Sequence, residues 1–127
     1  MPSPLAYRRC RPCEGGTEPL DEDGIRDHLA QIGSHWQLAA DGKSISADFT
    51  FRNYYQTTAY VNAIAWIAHQ EDHHPDISFG YKTCKVVYST HAIGGLSEND
   101  FICAAKVDAL NENDAPKESD KSDKQVG

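Results

Sequence analysis

The stretch DHHPDISFGYKTCKVVYSTH, residues 72–91, decides how this chain folds. Two histidines and a proline open it, and a third histidine closes it. Pro75 cannot continue a helix and pushes the residue before it into an extended conformation, so any preceding helix ends near here. After it, Ile77, Phe79 and Tyr81 alternate with polar residues, and CKVVYSTH carries β-branched and aromatic residues of its own. The spacing predicts a hairpin that turns near Lys82-Thr83. A two-residue turn there sets Tyr81 opposite Cys84. Continued down the ladder, it sets His74 opposite His91, with Cβ atoms about 5 Å apart. His73, His74 and His91 are therefore expected to converge at the open end of the hairpin. His69, one helical turn earlier, lies beside them or points to solvent.

Working back from this stretch, Asn53 followed by Gln56 resembles a capping box and opens a long helix. Its apolar stripe is Tyr60, Ala63, Ile64, Ile67 and Ala68, and it runs to about Glu71. Upstream, HWQLAA and SISADFTFR read as two strands around Asp41-Gly42, a strong hairpin signal. A first helix starts at Asp21 as N-cap, with Glu22 and Asp23 in its first turn. Ile25, Leu29 and Ile32 form its stripe, and Gly33 ends it. Downstream, Gly94-Gly95 breaks the chain and Ser97 caps a last helix carrying Phe101, Ala104, Ala105 and Val107. The order α-β-β-α-β-β-α predicts an α+β fold: a four-stranded antiparallel sheet with three helices packed on one face.

One core over residues 20–110 accounts for all of these elements. Residues 1–19 read as an irregular Pro/Gly-rich arm and residues 111–127 as a disordered polar tail. The composition, 39% hydrophobic and 24% charged, is that of a globular domain. A formal net charge of -7 argues against general affinity for nucleic acid or anionic membranes. No apolar run approaches the roughly 20 residues that span a bilayer. The basic YRRCRPC is followed by an acidic stretch where a signal peptide has its apolar segment, so a cytoplasmic location is expected. Cys10-Arg11-Pro12-Cys13 is a lone CxxC without the second pair that a zinc ribbon needs, and it reads as an arm with reduced thiols.

Three readings stand for the histidines. Imidazoles give and take protons near neutral pH, so a cluster among aromatic residues suits acid/base catalysis. His69 and His73 have the i, i+4 spacing of two metal ligands on one helix face, although Gln70 stands where HExxH has its glutamate. A polar helix end also favours histidine, but that does not explain His91 arriving from a distant strand. Asp100 has two readings as well, partner to a histidine or part of a Ser97-x-x-Asp100 capping box.

At this point DHHPDI, STH and GLSENDF together resemble the pterin-4a-carbinolamine dehydratases, over roughly Leu20 to Leu110. The resemblance implies loss of water from a 4a-hydroxytetrahydropterin to give a quinonoid dihydropterin, in tetrahydrobiopterin recycling. It implies His73, His74 and His91 as active-site histidines, Asp100 as their acidic partner, and neither metal nor cofactor. His74 is expected to be the central acid/base. Pro75, Asp76, Ile77, Phe79, Ser89 and Thr90, which flank these histidines, are the expected substrate contacts. Many members carry tryptophan where Ile77 stands, which leaves Phe79 or Tyr81 as the aromatic contact. The resemblance also implies a homodimer or homotetramer. Because relatives include regulatory and assembly factors, the alternative function is a non-catalytic binding module on the same fold.

Overall fold

Each helix starts where a polar side chain takes up a backbone N–H that the helix itself leaves unpaired. In the computed structural model, which describes residues 3–12 and 18–114, the Asp21 carboxylate accepts from the Gly24 N–H at 2.8 Å and opens α1 (Glu22–Leu29). The Asn53 side chain accepts from the Gln56 N–H at 2.9 Å and opens α2 (Tyr54–Glu71). Asp100 reaches back to the Ser97 N–H at 3.0 Å at the start of α3 (Glu98–Asp114). Asn53 is buried, so Asn53→Ala is expected to lower stability by about 1 kcal/mol. A urea midpoint that does not move would show that water replaces the cap.

The strands β1 (Gln37–Leu38), β2 (Ile45–Thr50), β3 (Asp76–Phe79) and β4 (Thr83–Tyr88) form one antiparallel sheet in the order β1-β2-β4-β3. Strand periodicity divides its faces. Ile45, Ala47 and Phe49 lie opposite Tyr88, Val86 and Cys84, and Ile77 lies opposite Val86, all on the face that the helices cover. Asp48, Thr50, Ser78 and Lys85 are exposed on the other face. The element order and the one-sided α+β architecture are those expected. α3 is buried nearly all round, through Phe101, Ile102, Cys103, Ala104, Ala105 and Val107, because α1, α2 and the N-terminal segment all pack on it.

The structure corrects several local expectations. The β3–β4 ladder closes with Phe79, not Tyr81, opposite Cys84, so its register is offset by two residues from a Lys82-Thr83 turn. Tertiary hydrogen bonds select the longer turn: Gly80 N–H donates to the Thr83 carbonyl at 2.9 Å, Phe51 N–H to the Lys82 carbonyl at 2.8 Å, and the Thr57 hydroxyl to the Tyr81 carbonyl at 3.0 Å. The ladder ends at Asp76 opposite Val87, so His74 and His91 are not a ladder pair. α1 stops at Leu29 rather than Gly33, because Asp108 on α3 accepts from the Gly33 N–H at 2.8 Å and from Trp36 Nε1 at 2.9 Å, pulling the chain off the helix axis. The first strand keeps only Gln37 and Leu38 of its expected length for the same reason, since Trp36 turns into the core.

The N-terminal arm contains a 3₁₀ turn, Pro4–Tyr7, and Leu5 enters the core at 1% exposure. α3 runs on to Asp114, past residue 110. Cys13 and residues 115–127, which include the rest of the expected tail, lie outside the described residues.

Candidate active site

Chain reversals bring the histidines together. α2 ends on Asp72, whose left-handed φ of 53° is a conformation aspartate tolerates better than most residues. The N–H groups of Asp72 and His73 both return to the Ala68 carbonyl, and β3 starts just after Pro75, so His73 and His74 lie between the helix end and the strand. On the other side, β4 continues through Ser89 and Thr90 into a single 3₁₀ turn, His91–Ile93, which Gly94 closes at φ 68°. A bridge between Thr90 and Gly95 folds this turn back beside the α2 terminus.

The result is a cavity of about 580 Å³ whose wall includes His73, His74, Ser89, Thr90 and His91. His74 and His91 are exposed to it, and His91 Nε2 lies 3.5 Å from the Ser89 hydroxyl. His73 is the fixed member of the three. Its Nε2–H donates to Asp100 Oδ1 at 2.6 Å, and its ring stacks on Tyr88 at 6.1 Å with 6° between planes. Asp100 is fully buried, and its Oδ2 accepts from the Thr90 hydroxyl at 2.7 Å and from the Ser97 N–H at 3.0 Å. With its only proton committed there, the Thr90 hydroxyl oxygen accepts from the Ser97 hydroxyl at 2.8 Å. Asp100 is therefore both capping residue and histidine partner, one oxygen serving each role. Its carboxylate is buried away from bulk solvent, and these three donors stand in place of hydration.

Other expected contacts are placed elsewhere. Pro75, Asp76, Ile77 and Phe79 are not among the cavity's wall residues. Ile77 packs against the core, and Phe79 and Tyr81 sit at the turn end of the hairpin, where Tyr81 stacks on Tyr54 at 5.9 Å. Strand geometry is the reason: four residues of β3 separate its two ends by roughly 10 Å or more. His69 is exposed against the Trp66 ring and does not line the cavity. Among the described residues no three histidine, cysteine or carboxylate side chains gather as metal ligands would.

Cys10, Arg11 and Pro12, which the sequence marked only as part of a CxxC in the arm, also line the wall. Two helix ends hold them. Glu71 Oε1 accepts from the Cys10 N–H at 2.8 Å, and the Glu71 carboxylate pairs with Arg9 at 3.0 Å and Lys106 at 3.7 Å. The Asn99 side chain accepts from the Arg11 N–H at 3.0 Å and donates to the Arg11 carbonyl. Cys10 Sγ lies 3.6 Å from Cys103 Sγ, both as free thiols, and that contact together with burial pushes the Cys103 thiol up.

Burial alone raises the Glu71 carboxyl, but the Cys10 N–H and the Lys106 and Arg9 charges outweigh it, so its net shift is downward from 4.5. A carboxyl held below its unfolded value stabilises the fold fully above that value and ceases to as pH falls through the folded one. The arm's attachment is thus expected to weaken only below about pH 4.5. Hydrogen exchange checks this: the Cys10 amide should lose protection in acid before the β4 amides do, and joint loss would contradict it.

Comparison with known proteins follows the same outline. The sequence profile of the family described as Pterin 4 alpha carbinolamine dehydratase matches residues 18–110. A Nitrosomonas eutropha protein bearing this family's name is 61% identical over 106 residues, which is 84% of this chain and 92% of that protein. The crystal structure of a transcriptional coactivator/pterin dehydratase from Brucella melitensis superposes with a TM-score of 0.69 at 26% identity, over 73% of this chain and 98% of that one. A pterin dehydratase-like protein identified as a RuBisCO assembly factor in the alpha-carboxysome gives a TM-score of 0.52 at 28% identity, over 59% and 87%. The match spans every element that builds the cavity except the arm, and so the chain belongs to the pterin 4 alpha carbinolamine dehydratase family.

Proposed function

We propose that this protein removes water from a 4a-hydroxytetrahydropterin, using its histidines as general acid and base. The observation that carries the reading is the meeting of His73, His74 and His91, from two separated stretches, on one cavity wall. Hydroxide leaves poorly, so one imidazolium protonates the C4a hydroxyl, and the C4a–O bond breaks with its electron pair going to water. The N5 lone pair forms the C4a=N5 bond, and a neutral imidazole takes the N5 proton to leave the quinonoid dihydropterin. A site with several imidazoles holds the acid and the base forms at once near neutral pH.

His74, exposed in the cavity, acts as the central acid/base. His91 assists at the hydroxyl, and His73, its tautomer held by Asp100, orients the ring. Ser89 lines the pterin site, while Thr90 acts through Asp100. The reaction as written uses no cofactor or metal. A homodimer or homotetramer belongs to the same reading, with the sheet edge at β3 the place for a second copy's strand. Tetrahydrobiopterin recycling in the cytoplasm is the setting we assign. Among the described residues no helix is long and apolar enough to cross a membrane.

The second reading, a non-catalytic binding module, draws on the likeness to the RuBisCO assembly factor. A stopped-flow assay of 4a-carbinolamine breakdown separates the two. Acceleration that depends on His74 supports the enzyme, and a rate equal to the uncatalysed one supports the module.

A further inference from the structure

Of the four cysteines in the sequence, two meet. Cys10 Sγ, on the arm, lies 3.6 Å from Cys103 Sγ, on α3, although the two are 93 residues apart in the chain. Both are free thiols. A disulfide holds its sulfurs about 2.05 Å apart, so roughly 1.5 Å of combined movement separates this contact from a bond. The two sulfurs differ in access. Cys10 is half-buried and lines the cavity beside the histidines, whereas Cys103 is fully buried in the core. Glu71 fixes the Cys10 N–H, and Cys10 Sγ lies 3.7 Å from the Asn99 carbonyl, which seats the sulfur against its neighbour. Packing accounts for Cys84, a small buried hydrophobe on β4. It does not account for a half-exposed thiol held from two sides against a buried one.

We propose that Cys10 and Cys103 form an oxidation site in the cavity wall, where a peroxide converts the two thiols to an intramolecular disulfide. The inference is independent of the dehydratase reading, since it needs only the thiol contact and the access of Cys10. The Cys10 sulfur attacks one oxygen of hydrogen peroxide and the O–O bond breaks. Cys10 becomes a sulfenic acid, and one water leaves. The Cys103 sulfur then attacks the Cys10 sulfur: the S–S bond forms, the S–O bond breaks, and the departing hydroxide takes the Cys103 proton as a second water. The two electrons that the sulfurs give up reduce the peroxide. A small dithiol reverses the change by thiol–disulfide exchange. Access assigns the first role to Cys10 and the resolving role to Cys103. Acidity agrees, because the Cys10 contact and burial push the Cys103 thiol up and keep it protonated. The bond would tie the arm to α3 directly, in place of a Glu71 attachment that weakens in acid.

The test uses the full chain, fully reduced and then treated in dilute solution with an equimolar amount of hydrogen peroxide. Alkylation and peptide mapping by mass spectrometry should show two of the four thiols lost, in one cross-linked peptide joining Cys10 to Cys103. Cys13 and Cys84 should remain alkylated, and dithiothreitol should restore all four. Closing so long a loop restricts the unfolded chain, so the melting temperature should rise by roughly 5 °C or more on oxidation. The Cys10 amide should stay protected below pH 4.5, where the reduced protein loses that protection. Cys13→Ser, which removes the thiol outside the described residues, should form the same cross-link. Cys103→Ala should stop at the sulfenic acid, which dimedone traps on Cys10; if that variant does not fold, the cross-link in Cys13→Ser still decides. A Cys10–Cys13 bond with Cys103 left reduced, or cross-links only between chains, overturns the proposal. So does Cys10 carried to the sulfinic acid without a cross-link, or a wild type that keeps four thiols.

Discussion

Replacing His74 by alanine is expected to slow dehydration of the pterin carbinolamine at least a hundredfold and to leave the fold unchanged. A positioned acid or base contributes about 10²- to 10⁴-fold, and His74 is given both proton transfers at the reacting centre. The fold should not notice, because the His74 side chain is exposed, lies outside the core, and follows the turn at Asp72 rather than forming it. Exposed substitutions of this kind shift stability by about 0.5 kcal/mol or less. Stopped-flow kinetics and urea denaturation measure the two halves of the statement separately. Turnover at the wild-type rate would remove His74 from the mechanism and pass its role to His73 or His91.

The second large effect is expected at Asp100, which in the proposed mechanism acts through His73. Asp100→Ala takes the acceptor from three donors at once: His73 Nε2–H, the Thr90 hydroxyl and the Ser97 N–H. Asp100 and Thr90 are buried, so water replaces the lost bonds poorly. The change combines buried unpaired groups with a weakened helix start, and should cost roughly 3 kcal/mol of stability. The rate per folded molecule should fall at least tenfold, because a carboxylate that orients an imidazole also fixes which nitrogen carries the proton.

A purely structural role for Asp100 would lower stability alone. The distinguishing readout is the His73 ring proton, which a 2.6 Å hydrogen bond shields from exchange and makes visible by proton NMR. That signal should vanish in Asp100→Ala. Asp100→Asn, which keeps the shape and one acceptor oxygen, should restore most of the stability without restoring the full rate. Full activity in Asp100→Ala at temperatures where it is folded would reduce the residue to a helix cap.

What could be read in advance divides along physical lines. Asp21 and Asn53 cap their helices as expected because capping is a bond between residues three apart. The buried face of β2, through Ile45 and Ala47, follows from the two-residue period of a strand. Meeting of the histidines could be anticipated because it needs only a hairpin and a helix that stops at Pro75, and it tolerates an error of two residues in register. The error itself arose where distant groups competed for the turn. Thr57 and Phe51 hold the carbonyls of Tyr81 and Lys82, and neither bond has a signature in the turn sequence.

The primary structure by itself thus determined the α+β order, the helix starts, the one-sided sheet and the cluster of imidazoles, all consequences of periodicity and of contacts a few residues long. Only the tertiary structure decided that Asp108 ends α1 early, that Asp100 divides its two oxygens between a helix cap and His73, and that Arg11 lines the cavity. Each of those depends on which donor and which acceptor remain unpaired once the core has formed, and that is settled by the packing of the whole chain and not by any one segment.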